Sequence, residues 1–487
     1  MKRVIANILK TMFWAVVALL LLVLGIVQVA YSDWFQDKLR VELVSRVNAS
    51  GDVKVALNHL SIDFPLDVQL EGLSVVEPQN DTLIAAKKVT ASVALMPLLY
   101  GRVEVDEASL VDARYRMGNV DSAMFMKIIA SRLSIEDASV GLASSDINLT
   151  QAEIQGGRVD LILKNDTTPT VADTVQSQSA PWKIKAKDLH LRDFTYHMAL
   201  EATIDSLSTH FVDASVKNME VDLGAQKVIV ALVQGEKLDA TYIASTAEAL
   251  PSKEDEKPSA PWTIMVDSID FIKSKALYAL ANVEPMPGLD FNYIQVDSLD
   301  LKIASFYNKA SEISIPIRYF TAQERCGIRL YGQGEFALDE NAMYLRQFDV
   351  KTNNSHLKAD GKLGMIGTFE QSQMLLIGNG EVGIDDVATM FPAYKPMMRG
   401  MPMHDKLYVD VNLEGSLKHL TINKLQADLN GRVNVDAKGY VANVTDFNHM
   451  RGALGVSGEI VDADFVNAFI GDDADELFVL PKMSLAG

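Results

Sequence analysis

Apolar and polar residues alternate one by one along most of the chain after residue 53. From Leu407 to Leu413 every second side chain is apolar, and the pattern returns at 425–429 and 433–437. Successive residues of a strand point to opposite faces of a sheet, so this alternation predicts strands with one apolar and one polar face. Gly, Asn or Asp bounds most runs, which is typical of antiparallel hairpins. The sequence therefore predicts a mainly β protein built as a meandering antiparallel sheet.

The same pattern is interrupted at shorter intervals near the N-terminus. Alternation at Val103 and Val105 stops and resumes at Leu110 and Tyr115. We interpret this interruption as a turn between two short strands.

A long uncharged segment precedes the strands. No charged residue occurs from Thr11 to Ser32, and about 20 apolar residues are enough to span a bilayer. Lys2, Arg3 and Lys10 lie before it, which orients the N-terminus toward the cytoplasm. The predicted anchor side chains are Phe13, Trp14, Leu19, Leu20, Leu21, Leu22, Leu24 and Ile26. The alternative is a cleaved signal peptide ending near Ala30-Tyr31-Ser32. Under either interpretation the rest of the chain is exported from the cytoplasm.

A short amphipathic helix is predicted directly after this segment. Phe35, Leu39, Leu43 and Val47 recur every four residues, with charged residues between them. Such a helix is expected to cap the first strand rather than serve a separate lipid-binding role, although it could do both because it lies where the chain leaves the bilayer.

Two pairs of sequence words recur at nearly one spacing. Ser-Ala-Pro-Trp stands at 179–182 and again at 259–262, and Gly-Glu-Val/Ile stands at 380–382 and 458–460. In the second pair, Asp386 and Asp464 follow the strand and are predicted to cap short helices. The spacing predicts a modular β array. The predicted segments are a cytoplasmic 1–10, a transmembrane 11–32, a juxtamembrane helix 33–48, β segments 49–164, 165–250 and 251–375, and a strand-to-helix segment 376–487.

Composition excludes several classes of function. The net charge is −19 over 487 residues and no basic cluster occurs, which argues against nucleic-acid binding. Aromatic residues make up only 7%, and Cys326 is the single cysteine, so no intramolecular disulfide can form.

No pattern of catalytic or metal-binding residues is evident. The eight histidines lack metal-ligand spacing, and no nucleophile elbow, phosphate-binding loop or dinucleotide fingerprint is present. The acidic cluster at 472–476 fits a solvated turn better than a calcium site. The methionine-rich segment 397–403 fits a loop packed over the sheet, with contact to acyl chains or a partner protein as the alternative. A non-enzymatic protein without cofactor or metal is therefore predicted.

The order and spacing of these features resemble the AsmA/TamB group of envelope proteins. The resemblance covers essentially the whole chain, through the anchor, the helix after it, and degenerate strand motifs. The motifs are Val53-x-Val55-x-Leu57, Leu60-x-Ile62-x-Phe64-Pro65-Leu66, Val68-x-Leu70-x-x-Leu73-x-Val75, Asp81-Thr82-Leu83-Ile84-Ala85-Ala86, Leu95 to Leu99, Gly101-x-Val103-x-Val105, Ala108-x-Leu110-x-x-Ala113 and Leu289-Asp290-Phe291-Asn292-Tyr293-Ile294. The later units at Gly380 and Gly458 are similar to the TamB side. TamB-like chains are usually longer, which predicts either a fragment or a short AsmA-like member.

The resemblance implies an elongated, curved antiparallel β-groove, or β-taco, anchored in the inner membrane of a Gram-negative bacterium with its body in the periplasm. It implies transfer of phospholipids toward the outer membrane through contact with their acyl chains. An outer-membrane β-barrel protein is an implied partner. Alternation alone predicts the lining residues Leu66, Val68, Leu70, Val103, Val105, Leu407, Val409, Val411, Leu413, Leu425, Leu429, Val433 and Val435.

Two other functions stay open at this point. One is a scaffold for outer-membrane protein assembly and secretion that works by strand addition at sheet edges. The other is a structural array whose apolar face is the core of a closed sandwich.

Overall fold

The computed structural model describes residues 32–49, 53–63, 66–77, 82–98, 100–118, 124–163, 181–200, 205–245, 261–364, 370–398, 402–446, 448–462 and 483–486. The predicted anchor side chains, the acidic cluster 472–476 and the predicted cap Asp464 lie outside these ranges. Within them, no helix has both the length and the apolar character needed to cross a membrane.

The protein is mainly β, as the alternation predicts, and divides into two compact units, 1–264 and 265–487. The first unit contains helices α1 (Asp33–Ala49) and α2 (Leu95–Leu98). Its strands are β1 (Lys54–Ala56), β2 (His59–Asp63), β3 (Asp67–Val76), β4 (Thr82–Val93), β5 (Arg102–Met117), β6 (Met124–Gly141), β7 (Asp146–Leu163), β8 (Lys183–Leu200), β9 (Asp205–Asp222) and β10 (Lys227–Ala244).

Strand β11 (Thr263–Leu280) begins at the end of the first unit and lies mostly in the second. The second unit also contains helix α3 (Ile384–Met390) and a 3₁₀ helix (Pro392–Met398). Its further strands are β12 (Tyr293–Lys309), β13 (Glu312–Glu324), β14 (Arg329–Leu338), β15 (Ala342–Lys351), β16 (His356–Gly364), β17 (Met374–Gly383), β18 (Lys406–Ser416), β19 (His419–Leu429), β20 (Val433–Ala442), β21 (Arg451–Ile460) and β22 (Met483–Ala486).

Among the described strands β1–β10, neighbouring strands pair antiparallel except for β7 and β8. Strands β1 and β2 both pair with β3, and β3 to β7 follow in sequence order. Strand β8 then pairs with β7 in parallel, from Asp146 beside Lys183 to Leu163 beside Leu200. The prediction of a wholly antiparallel sheet was wrong at this step. A parallel pair needs a connection of a dozen or more residues, and 164–182 provides one.

The strands repeat in groups of three. Strand β8 begins 81 residues after β5, and β9 and β10 begin 81 residues after β6 and β7. The two Pro-Trp pairs, 181–182 and 261–262, stand directly before β8 and β11. The N–H groups that follow them bond alike, from Lys183 to the Ser145 carbonyl (2.9 Å) and from Thr263 to the Gln226 carbonyl (2.8 Å).

The predicted turn between Val105 and Leu110 is wrong, because β5 is one continuous strand. Alternation breaks there because the regular pairing with β6 is interrupted at Asp106. Each of the strands β5–β10 carries two such additional residues. One interruption from each strand contributes to a single row across the six strands, at Asp112, Ser131, Gly156, Asp193, Val212 and Lys237. Four of these residues, Asp112, Gly156, Asp193 and Lys237, have φ between 49° and 60°. Such residues bend a strand locally.

Candidate functional site: an apolar sheet face

Residues paired across strands share a face of the sheet, so the register assigns every strand residue to one face. In the second unit, one row of partners crosses the ten strands β12–β21 without a polar side chain. Its members are Leu301, Phe320, Gly332, Val350, Leu357, Gly380, Val409, Ala427, Val435 and Gly458. We call this set the apolar row.

The adjacent row of the same ten strands has the opposite character. Each member is the chain neighbour of an apolar-row residue, and each is polar: Asp300, Thr321, Tyr331, Lys351, His356, Glu381, Tyr408, Asp428, Asn434 and Glu459. Ion pairs join strands on this polar face, as in Lys406–Glu381 (2.8 Å) and Lys424–Asp410 (2.6 Å). The sheet of the second unit therefore has one apolar and one polar face.

The first unit repeats this division over β5–β10. One row on its apolar face consists of Ala108, Ile135, Ala152, Leu189, Val216 and Val233. A row on the opposite face consists of Arg102, Gly141, Asp146, Lys183, Asp222 and Lys227. Lys185 and Glu220, direct partners on that polar face, form an ion pair of 2.8 Å.

Most residues of both apolar faces are only partly buried. In strands β6–β10 full burial is reached mainly by small side chains, such as Ala152, Ala186 and Ala214. Two tyrosines share this face, and burial raises the pKa of both the Tyr115 and the Tyr196 phenol. The face is thus apolar enough to disfavour a phenolate, yet many of its aliphatic side chains keep accessible surface.

The predicted lining residues of the second unit lie together on the apolar face. Leu407, Val409, Val411 and Leu413 of β18 face the same side as Leu425 and Leu429 of β19 and Val433 and Val435 of β20. Leu429 is buried where α3 and the 3₁₀ helix cover the face, and Leu407 packs at the edge of that contact. The other six are partly exposed.

The predicted lining residues of the first unit need a correction. Leu66, Val68, Leu70 and Val103 are only 2–6% exposed, because they belong to a closed core with Leu60 and Ile62. Leu39, Leu43 and Val44 of α1 pack against this core, and Val105 borders it. Alternation identifies an apolar face, but a helix laid over that face turns the lining into a core.

Helix α1 also covers the edge of the sheet. The Gln36 side chain donates to the Ile62 carbonyl (2.9 Å), and Arg40 donates to the Leu57 carbonyl (2.8 Å). Asn48 accepts from the Val55 N–H (2.6 Å) and donates to the Val55 carbonyl (3.1 Å). These side chains bond to the edge as a neighbouring strand would, so α1 caps the first strands as predicted.

Helix α3 is held by Asp386, although not as a cap. The residue before the helix is Gly383, which makes no side-chain cap, so the prediction that Asp386 caps the helix was wrong. Instead its carboxylate, 1% exposed, accepts from the Thr352 hydroxyl, the Asn354 N–H (2.9 Å) and the Ser355 hydroxyl (2.6 Å). Burial alone would raise its pKa, but these hydrogen bonds outweigh burial and lower it.

The methionine-rich segment contributes to the cover over the apolar face. Met398 is 8% exposed and lies in one cluster with Ile384, Ala388 and Leu429, against which Met403 packs. Residues 399–401 lie outside the described ranges. Within those ranges, no three His, Cys, Asp or Glu side chains are grouped in a way that could hold a metal ion.

Neither the models of known protein families nor the curated proteins include a match to this chain.

Proposed function

We propose that this protein carries phospholipid acyl chains along its apolar sheet faces, without catalysis, between the inner and outer membranes of a Gram-negative envelope. The observation that supports this most directly is the apolar row, which crosses ten strands. The chain neighbours of its members are all polar and lie on the opposite face of the sheet. Soluble proteins rarely expose large contiguous apolar areas unless these bind a ligand, a partner or a membrane.

The chemistry of the face suits an acyl chain. Each methylene removed from water contributes ~0.8 kcal/mol, so a continuous aliphatic surface can hold a lipid tail without specific polar contacts. A row that continues from strand to strand without a polar side chain presents no polar barrier to such a tail. Movement along it would therefore need no local energy source.

The surroundings follow from the same proposal. The uncharged segment 11–32 would anchor the chain in the inner membrane, with the body in the periplasm. The resemblance to the AsmA/TamB group supports this placement and suggests an outer-membrane β-barrel protein as a distal partner.

The chain offers a matched pair of positions for a test. Leu357 and Leu375 are 40% and 38% exposed and lie on the neighbouring strands β16 and β17. Leu357 belongs to the apolar row, whereas Leu375 pairs with Lys362 and Glu414 on the polar face. A photo-crosslinking amino acid would replace each leucine in the full chain in cells, and lipid adducts would be identified by mass spectrometry.

We expect phospholipid adducts at Leu357 and not at Leu375, with Val409 and Asp410 as a second pair that gives the same contrast. Equal adducts at both leucines would mean nonspecific membrane contact. No adduct at Leu357 in a folded chain would overturn lipid carriage and favour a scaffold for outer-membrane protein assembly.

A further inference from the structure

We infer that one end of the first unit rests against the bilayer surface, through the exposed side chains of Trp34, Met96 and Tyr100. These three residues, which we call the 34/96/100 surface, are 72%, 66% and 83% exposed. The inference rests on the membrane anchor of the proposed function but does not require lipid carriage. A second contact with the bilayer would fix the orientation of the sheet, which a single anchor helix leaves free.

The pairing brings the three residues to one end of the sheet. The β2–β3 turn closes at Asp63 and Asp67, and the Val93 N–H donates to the Leu66 carbonyl (3.1 Å), so the α2 loop follows at the same end. Met96 and Tyr100 belong to this loop. The Leu142 N–H donates to the Gly101 carbonyl (3.4 Å), which ties the loop to the β6–β7 turn.

Helix α1 begins at this same end. Gln36 donates to the Ile62 carbonyl (2.9 Å), one residue before the β2–β3 turn closes at Asp63. Trp34 therefore lies beside the end of the sheet, whereas Asn48, near the end of the helix, bonds to Val55.

The occupant follows from where the uncharged segment ends. Segment 11–32 finishes two residues before Trp34, so a bilayer spanned by it would have its surface at the start of α1. Trp and Tyr are enriched at membrane interfaces, where an apolar ring meets a polar edge. The Lys38 ammonium lies 5.0 Å from the Trp34 ring centroid, and a lysine there can reach lipid headgroups.

A spin-label experiment in nanodiscs tests this inference. Cys326 is first replaced by serine in the full chain, and single cysteines then replace Met96, Tyr100 or, as control, Thr82. Thr82 is also exposed but begins β4 at the opposite end, since Val93 lies beside the β2–β3 turn. Accessibility to oxygen, which concentrates in lipid, and to a water-soluble nickel complex is measured at each position.

We expect Met96→Cys and Tyr100→Cys to show several-fold less nickel and more oxygen accessibility than Thr82→Cys. Trp34 fluorescence, in a chain whose other three tryptophans are phenylalanine, should be quenched by brominated lipid. Labels as accessible to nickel at 96 and 100 as at 82 would overturn the inference, and so would a chain that does not enter nanodiscs. Lipid adducts at Leu357 could still form in either case, which separates this failure from failure of lipid carriage.

Discussion

The Phe194 ring occupies the space that a side chain at residue 157 would need. A Cβ atom added at Gly157 would lie 2.5 Å from Cδ2 of Phe194, its direct partner on the apolar face across the parallel β7–β8 pair. Phe194 is in turn the partner of Phe211 on β9. In this row of partners, Ala113, Ala130 and Gly157 of β5–β7 are followed by the rings of Phe194 and Phe211. The missing side chain at Gly157 leaves the space that the Phe194 ring occupies.

This contact predicts an overpacking penalty. Gly157→Ala should lower the free energy of unfolding by about 1–3 kcal/mol, because the ring must leave its position. Phe194→Leu in the same chain should recover part of the loss. Urea unfolding followed by Trp182 fluorescence, one residue before β8, measures both, and equal losses with and without Phe194→Leu would contradict the contact.

The Asp386 network predicts a pH-dependent loss of stability in the second unit. Asp386→Asn should cost about 1–3 kcal/mol at pH 7, because a neutral amide oxygen accepts hydrogen bonds more weakly than a carboxylate and the amide NH2 group can only donate. The folded-state pKa is lowered, so the carboxylate stabilises the fold above its unfolded pKa near ~4 and loses this effect as the pH falls through the folded value. The difference in the free energy of unfolding between the two proteins should therefore shrink as the pH falls below ~4. Hydrogen exchange of the α3 and β16 amides measures this difference in stability. A difference that does not change with pH would contradict the proposal that the carboxylate is charged in this network.

The edge cap by α1 predicts a change in both stability and association. Asn48→Ala removes both hydrogen bonds to Val55 and should cost about 1 kcal/mol. It should also promote self-association, because an uncovered strand edge can pair with another chain. Asn48→Asp is the matched control, since it keeps the acceptor for the Val55 N–H. Urea unfolding followed by Trp34 fluorescence measures the loss of stability, and light scattering measures self-association. Equal stability and equal self-association of the two variants would argue against capping.

A left-handed residue in β11 predicts opposite effects for two neighbouring substitutions. Lys273 has φ 50°, and its N–H donates to the Asp300 carboxylate of β12 (2.7 Å). Lys273→Gly should stabilise by up to about 1 kcal/mol, because glycine adopts this conformation without steric cost. Asp300→Ala should destabilise by about 1 kcal/mol. Hydrogen exchange in β11 and β12 measures both, and a destabilising glycine would mean that the Lys273 side chain outweighs the backbone strain.

Alternation also predicts the faces of the sheet, but not what covers them. Period two separates Val409 from its polar neighbours because a strand cannot place adjacent side chains on one side. The same period at Val68 and Leu70 marks residues that are buried under α1. The two cases differ in what packs on the face, because α1 and Leu98 of α2 contribute to the core around Val68 and Leu70, and such tertiary contacts are not encoded in the local alternation.

Side-chain alternation is a local property of each strand, so the amino-acid pattern was enough to predict a β protein with one apolar and one polar face. It also marked the repeat, through Pro181-Trp182 and Pro261-Trp262. The folded protein was needed to show that β7 and β8 run parallel, that Asp112 interrupts one continuous strand, and that Asp386 bonds to the 352–355 turn. Each of these depends on which distant backbone lies alongside, and pairing partners are chosen by the whole sheet rather than by the residues of one strand.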